Sequence, residues 1–279
     1  MRSLSTEIIG AEIKSLFLSS AFLLPEKVLS RLTQAMAEEP SEQGRAVLAT
    51  LVENSELAKK TRIPLCQDTG LAQDNIELGQ GLALEGPPLR EAVESGTREA
   101  YSEGYLRTST CHPLVRDNLG DNCPVSLETV IVPGERARII TLAKGGGCDN
   151  KSALANFSPT ASRETIIESI VYMALNAGPD ACPPFCVGVA VGGSFESAPR
   201  LARRALVDLW EDPPMSTEED ALAQEILSRL NASGLGPMGL GGRTTALGLR
   251  LKLYPCHLAS LPVAINLNCH SLRTARSVL

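Results

Sequence analysis

Apolar residues recur at helical spacing along the N-terminal part of the chain. In the segment SEQGRAVLATLVENSELAKK, Val47, Leu48, Leu51 and Val52 fall on one face of a helix. One proline stands just before this segment and another follows it, as expected at helix boundaries. The pattern predicts a helical N-terminal region over about residues 1–62.

Two later segments combine a helical pattern with a start signal. In SRETIIESIVYMALNAG, Ser162 is placed to cap the N-terminus, and Gly178 and Pro179 follow to end the helix. The other segment begins near Ser216, which forms a capping-box pattern with Glu219 ahead of leucines and isoleucines at helical spacing. The sequence therefore predicts two further amphipathic helices.

Strand patterns are concentrated in the second half of the chain. VSLETVIVP and ARIITLAKGGG are joined by a Pro-Gly turn, which predicts a β-hairpin. FCVGVAVGG is almost continuously apolar and is typical of a central, buried strand. ALGLRLKLY alternates apolar and polar residues, and PVAINLNC is the last strand pattern. These elements predict the α+β (mixed α/β) class, with a helical N-terminal third packed on a mixed β-sheet in a single domain over residues 1–279.

Composition and charge narrow the classes of partner. Hydrophobic residues make up 43% of the 279 residues and charged residues 21%, which is ordinary for a globular protein. The net charge of -6, without a basic stripe, excludes nucleic acid as an expected partner. The N-terminus mixes charges into its apolar run, and SLFLSSAFLLP is too short to cross a bilayer. We therefore expect a cytoplasmic protein with no membrane partner.

Eight cysteines need an explanation in such a chain. Without a secretory signal, we expect reduced thiols rather than disulfides. Cys66, Cys182 and Cys269 stand at the ends of predicted elements, where functional sites are commonly built. Cys182 and Cys186 form a lone C-x3-C, which is weak evidence for zinc, and Cys186 falls within a predicted core strand. Spacing alone leaves a metal site open.

Two glycine-rich loops follow or precede strands. AKGGGCDNKS resembles a phosphate-binding loop in part, but Asn150 stands where that loop requires its second glycine. This argues against a nucleotide-binding protein. Consecutive glycines still let backbone N–H groups approach an anion closely. The second loop, GLGPMGLGGRTTALG, indicates by itself only crowding near a strand.

Five motifs occur together in one order: PLCQDTG, KGGGCDNKS, DACPPFCVGVAVGG, GLGPMGLGGRTTALG and HLASLPVAINLNCH. In this order they resemble the α (catalytic) subunit of the iron–sulfur hydro-lyases, the class I fumarate hydratase and L(+)-tartrate dehydratase family. The resemblance runs from about residue 40 to the C-terminus. It implies that residues 1–279 are an α-type catalytic domain of this family.

The resemblance also implies a cofactor. The family holds a [4Fe–4S] cluster with three cysteines, which match Cys66, Cys182 and Cys269. The fourth iron carries no protein ligand and serves as a Lewis acid. Cys148 stands in the glycine loop where the family has serine, and we expect it not to be a ligand.

Substrate and proton-transfer roles are likewise implied by the resemblance. Gln67, Arg107 and the Gly146 backbone match groups that bind substrate carboxylate. Asp68 and His257 match the pair that manages the proton of the leaving hydroxyl group. His257 lies twelve residues before Cys269, but leucine follows it where the family usually has proline.

The chain lacks a KSTS-G-R-like loop, which the family carries on a β-type domain. We therefore expect a separate β-type subunit that supplies the rest of the active site, in an α2β2 heterotetramer. The expected reaction on a small dicarboxylate is (S)-malate = fumarate + water. The alternatives are the dehydration of L(+)-tartrate to oxaloacetate and a non-enzymatic iron–sulfur scaffold protein.

Overall fold

A computed structural model describes residues 2–211, 213 and 215–279. The helices are α1 (Thr6–Phe22), α2 (Glu26–Glu38), α3 (Glu42–Thr61), α4 (Leu89–Glu103), α5 (Gly146–Asp149), α6 (Arg163–Leu175), α7 (Ser197–Val207) and α8 (Thr217–Asn231). The strands are β1 (Arg2–Ser5), β2 (Leu71–Gly79), β3 (Leu82–Glu85), β4 (Ser126–Val132), β5 (Ala137–Lys144), β6 (Ala153–Phe157), β7 (Phe185–Gly192), β8 (Ala246–Tyr254), β9 (Leu261–Asn268) and β10 (Thr274–Val278). The predicted α+β class is confirmed.

The chain forms two compact units, and neither is one continuous segment. Unit 1 comprises Met1–Pro25, Asn54–Gly146 and Arg273–Leu279. Unit 2 comprises Glu26–Glu53 and Gly147–Leu272. The chain therefore passes from one unit to the other four times, once inside helix α3 and once inside the short helix α5.

Unit 1 is built on a four-stranded sheet in the order β10-β5-β2-β4. Strand β2 pairs parallel with β4 and antiparallel with β5. Helices α1 and α4 pack against each other, and Ile9, Ile13 and Phe17 of α1 are buried in the core. A side chain at Gly96 of α4 would collide with the carbonyl oxygen of Gly10, so this close helix contact requires glycine.

The predicted hairpin between β4 and β5 is wrong, because β2 lies between them. The Pro-Gly turn instead passes around the end of β2, where Gly81 N–H donates to the Gly134 carbonyl. A Cβ on Gly79 would lie 2.5 Å from that same carbonyl oxygen, so β2 has to end in glycine there. The polar residues of β2 are typical of a strand at the edge of a sheet, but β2 is an inner strand and Asp74 is fully buried.

Unit 2 contains a second four-stranded sheet, in the order β6-β9-β7-β8. Strand β7 is parallel to β8 and antiparallel to β9. It is buried over almost its whole length, as its apolar run predicts, and Cys186 within it is fully buried. Helices α6 and α8 belong to one core cluster, and α7 packs on the sheet with alanines in another.

The predicted helix starts in unit 2 are confirmed. The Ser162 hydroxyl accepts a hydrogen bond from the backbone N–H of Thr165. Ser216 and Glu219 form the complete capping box at the start of α8. The Glu219 carboxylate also accepts from Leu253 N–H at 2.9 Å, which ties the start of this helix to β8.

The segment Thr6–Glu38 is apolar and long enough, by composition, to resemble a membrane span. In the structure it is interrupted at residues 23–25, between α1 and α2. The apolar face of α1 is buried in the core of unit 1. The segment is therefore made of a core helix, α1, and a second helix, α2.

Glu39, between α2 and α3, anchors the second glycine-rich loop of unit 2. Its side chain is buried, and its carboxylate accepts from Arg243 N–H (2.9 Å), Thr244 N–H (2.8 Å) and the Thr244 hydroxyl (2.7 Å). Gly242 has φ +122°, and a Cβ there would lie 2.8 Å from Glu39 Oε1. Burial by itself raises the pKa of Glu39, but these hydrogen bonds outweigh it and lower the pKa below its ordinary value.

We expect Glu39→Gln to destabilise the protein by about 2 to 4 kcal/mol at pH 7, because backbone N–H groups lose a charged acceptor. Since the folded pKa is lowered, the contribution of Glu39 is complete above the unfolded pKa of about 4.3 and is lost as the pH falls below it. Urea unfolding of both proteins at pH 7 and pH 3.5 measures this. The difference in free energy of unfolding between the two proteins should be smaller at pH 3.5 than at pH 7. The same difference at both pH values would contradict the lowered pKa of Glu39. Exposed Glu38 provides the control Glu38→Gln.

Candidate active site

The motif that contains Cys66 forms a tight turn between α3 and β2 in unit 1. Cys66 is half-buried, and its thiol lies 3.6 Å from Gln67 Oε1. Gln67 is exposed, whereas Thr69 and Gly70 are buried. The Cys66 thiol, the Gln67 amide and the Asp68 carboxylate are therefore carried by a turn whose following residues are buried.

Buried side chains hold three successive carbonyl groups of this turn. Arg273 Nη1 donates to the Asp68 carbonyl at 2.6 Å. The Tyr101 hydroxyl lies 3.1 Å from the Thr69 carbonyl and 2.8 Å from the Gly70 carbonyl. Desolvation raises the pKa of Tyr101, which keeps the hydroxyl protonated as a donor. The turn is thus fixed by groups from outside the motif.

The Asp68 carboxylate joins this turn to the first glycine-rich loop. Its Oδ1 accepts from Gly70 N–H at 3.1 Å, and its Oδ2 accepts from Gly146 N–H at 2.8 Å. A Cβ on Gly145 would lie 3.3 Å from Oδ2, so the loop approaches the carboxylate closely without a side chain. The structure therefore brings Asp68 and Gly146 together, as a common site requires.

The loop with Arg107 is attached to the same turn. The Thr69 hydroxyl donates to the Arg107 carbonyl at 2.5 Å. Asn122 connects the two segments as well, since its Oδ1 accepts from Ser109 N–H (2.8 Å) and its Nδ2 donates to Gly70 O (3.2 Å). The Arg107 side chain itself is exposed, which leaves its guanidinium available to an anion.

Cys182 and Cys269 lie at the same end of the sheet in unit 2. The register pairs Cys186 near the start of β7 with Asn268 at the end of β9. Cys182 lies in the turn before β7, and Cys269 directly follows β9. Cys182 adopts a left-handed conformation (φ 52°, ψ 65°), which is uncommon for a residue with a side chain and typical of functional sites. Both thiols are half-buried.

Short polar contacts define the surroundings of these two cysteines. Cys269 Sγ lies 3.2 Å from the Ser271 hydroxyl, and the Asn268 amide donates to the Cys269 carbonyl at 3.2 Å. His270 Nδ1 lies 3.4 Å from the Cys182 carbonyl. The segment after β9 and the Cys182 turn are therefore linked directly to each other.

The second glycine-rich loop supports the Cys182 turn from behind. Met238 N–H donates to the Pro183 carbonyl at 2.8 Å. A Cβ on Gly239 would lie 2.6 Å from Pro179 Cγ, which explains a glycine at this position. Glu39 fixes the other end of this loop, and sequence reasoning missed Glu39 because nothing in its local pattern signals a contact 204 residues away.

The structure does not bring His257 together with Cys182 and Cys269. His257 is exposed and follows β8, whose end lies beside Gly192 at the far end of β7. The eight residues of β7, at about 3.3 Å each, separate the two ends by about 25 Å. Within unit 2, this histidine therefore faces a different environment, where its Nδ1 accepts from Ala259 N–H at 3.1 Å.

The remaining cysteine of the first glycine loop is part of the core. Cys148 is buried, and its Sγ lies 3.4 Å from the Ala181 carbonyl. Over the described residues, no group of three or more His, Cys, Asp or Glu side chains is already gathered for a metal ion. Cys66 in unit 1 and Cys182 and Cys269 in unit 2 are half-buried, as is Cys111, and Cys256 is exposed, so exposure alone does not single out the three predicted ligands.

Comparison with known proteins places these motifs in a family. The family model described as Fumarate hydratase (Fumerase) matches residues 11–278. A protein of Methanocaldococcus jannaschii, provisionally named L(+)-tartrate dehydratase subunit alpha, is 35% identical over 94% of this chain and 94% of its own. The L(+)-tartrate dehydratase subunit alpha of Escherichia coli strain UTI89 is 28% identical over 90% of this chain and 84% of its own. The chain therefore belongs to the fumarate hydratase family of hydro-lyases, as an alpha subunit.

Proposed function

We propose that this chain is the catalytic subunit of an iron–sulfur hydro-lyase that removes water from a small hydroxy-dicarboxylate. The observation that carries the proposal is the unit 1 site, where Asp68, the Gly146 N–H and the loop of Arg107 meet around one fixed turn. The description of the matching family model as Fumarate hydratase supports (S)-malate and fumarate as the reactants. The names of the relatives favour L(+)-tartrate, and the two substrates should be compared directly.

Donor chemistry supports a [4Fe–4S] cluster on Cys66, Cys182 and Cys269. All three are half-buried thiols in turns, and thiolates are the usual ligands of such clusters. The left-handed backbone of Cys182 and the support behind it are consistent with a ligand held in one orientation. When bound, the cluster supplies Lewis-acid chemistry at an iron without a protein ligand.

The protein groups then bind the substrate and move one proton. Gln67 and the Arg107 guanidinium bind and orient the carboxylates. The Gly146 N–H donates to Asp68 Oδ2 at 2.8 Å in this structure and binds a substrate carboxylate only once it has left Asp68. Asp68 Oδ2 gives a proton to the departing hydroxyl group during dehydration and takes it back during hydration. The base that removes the C–H proton belongs, in this proposal, to the partner chain.

His257 needs a separate account in this mechanism. Its position at the far end of β7 from Cys182 and Cys269 is at odds with a role at the same site through unit 2 of its own chain. If it does share the proton work of Asp68, a second chain has to bring it to the site. We therefore rest the proton transfer on Asp68.

The partner is proposed to be a β-type subunit. The relatives are named as alpha subunits, which supports a complementary chain. We propose an α2β2 heterotetramer in the cytoplasm, with the remaining substrate-binding groups on the β-type chain.

The cluster is tested by anaerobic reconstitution of the pure chain with iron and sulfide. Cys66→Ala, Cys182→Ala and Cys269→Ala should each lose the visible absorbance and most of the bound iron, because three thiolates are needed to hold the cluster. Buried Cys186→Ala and exposed Cys256→Ala are the matched controls and should keep both signals. Equal iron content in all five variants would rule out this ligand set.

Activity is tested with the chain alone and with the β-type chain added. The pure chain should be inactive on L(+)-tartrate and (S)-malate, and the complex should convert one of them with a clear preference in kcat/KM. Asp68→Asn should lower kcat about 100-fold or more, since a positioned proton donor contributes this much. Exposed Asp117→Asn serves as the control. Full activity of the chain without a partner would contradict the proposed division of the site.

Oxygen sensitivity provides an independent check on the open iron. Exposure of the active complex to air should abolish activity, and ferrous iron with a thiol reductant under anaerobic conditions should restore it. Time courses of activity and of bound iron in air measure both effects. Stable activity after prolonged exposure to air would argue against an iron that lacks a protein ligand.

A further inference from the structure

Arg273 is a buried arginine beside Asp68 to which the family motifs assign no role. It is 3% exposed and begins the last segment of unit 1. Its backbone carbonyl accepts from Ala143 N–H at 3.0 Å, which fixes its main chain against β5. Its Nη1 donates to the Asp68 carbonyl at 2.6 Å. A residue far away in sequence therefore holds the backbone of the proposed proton donor.

The guanidinium also faces the space next to the Asp68 carboxylate. The point where a Cβ on Gly145 would stand is 3.6 Å from Arg273 Nη2 and 3.3 Å from Asp68 Oδ2. Arg273 Nη2 and Asp68 Oδ2 therefore both border the space that a side chain at Gly145 would occupy. The arrangement makes the position of Asp68 depend on both the backbone contact and the nearby charge.

A purely structural role accounts poorly for this arginine. Its Nε is buried and has no hydrogen-bond acceptor within the part of the chain that the structure describes. Such a desolvated donor is costly, and an apolar side chain of similar size stabilises a core better than an incompletely satisfied charge. Its side-chain hydrogen bond is instead made to the turn that carries Asp68.

We propose that Arg273 is a positioning residue of the active site. Its guanidinium holds the Asp68 backbone so that the carboxylate bridges the N–H groups of Gly70 and Gly146. This inference rests on the proton-transfer role proposed for Asp68. Arg273 acts through Asp68 and does not itself move a proton.

The first test needs no catalysis. Amide hydrogen exchange of Gly146 in the anaerobic chain is measured residue by residue by NMR for wild type, Arg273→Gln, Asp68→Ala and the double variant. Each single change should speed Gly146 exchange about tenfold, as expected when a hydrogen bond to a charged group is lost. The double variant should exchange no faster than Asp68→Ala alone, because both changes break one chain of contacts.

Two further variants separate positioning from folding. Exposed Arg136→Gln is the matched control and should leave Gly146 exchange unchanged. Arg273→Lys keeps a cationic donor and should give an intermediate rate. Unchanged Gly146 exchange in Arg273→Gln would overturn the proposal. Faster exchange throughout β5 and α1 in both Arg273 variants would also overturn it, since that pattern reports general loss of unit 1.

The second test uses the active complex with its β-type chain. Arg273→Gln should lower kcat about tenfold with KM changed less than about twofold, because a misplaced proton donor affects the chemical step more than binding. Added ethylguanidinium should restore part of the kcat of Arg273→Ala and should not affect Arg136→Gln. A change in KM alone, or no rescue, would contradict positioning. If no complex shows hydro-lyase activity, the proposed function fails, and the exchange experiment still decides the role of Arg273.

Discussion

The candidate active site of unit 1 depends on the fixation of three successive carbonyl groups, those of Asp68, Thr69 and Gly70. Side chains distant in sequence supply the donors, chiefly Arg273 and Tyr101. Hydrogen bonds to these carbonyl groups restrict the backbone of the turn, and the Asp68 carboxylate on it is itself held by the N–H groups of Gly70 and Gly146. This fixation buries polar groups away from water, which is unfavourable unless each of them forms a hydrogen bond.

In unit 2 the Cys182 turn is also held by elements outside its motif, but by different contacts. The Cys182 turn is supported by packing and by main-chain contacts from a glycine-rich loop, and that loop is tied to the buried Glu39 carboxylate. Glycine is required at Gly239 and Gly242 because a proline and a carboxylate occupy the space that a side chain would fill. Both units thus place a candidate ligand cysteine on a turn whose shape is set by elements outside the motif.

Sequence patterns were informative where the determining contacts are local. The caps at Ser162 and Ser216 and the buried strand β7 follow from residues within one element. The order of strands could not be read in this way, because β2 carries polar residues such as Asp74 that are buried only through tertiary structure. His257 is close to Cys269 along the chain, but the intervening strand β9 carries the chain to the other end of the sheet.

The discontinuous composition of unit 1 has a consequence for biosynthesis. Its sheet needs β10, and its Asp68 turn is held by Arg273, and both are synthesised after the whole Gly147–Leu272 segment of unit 2. An N-terminal fragment cannot complete this unit, however long it is, unless it includes the C-terminal segment. Unit 1 therefore stays incomplete until that segment of unit 2 has been synthesised, and until then β5 has an unpaired edge at the position of β10.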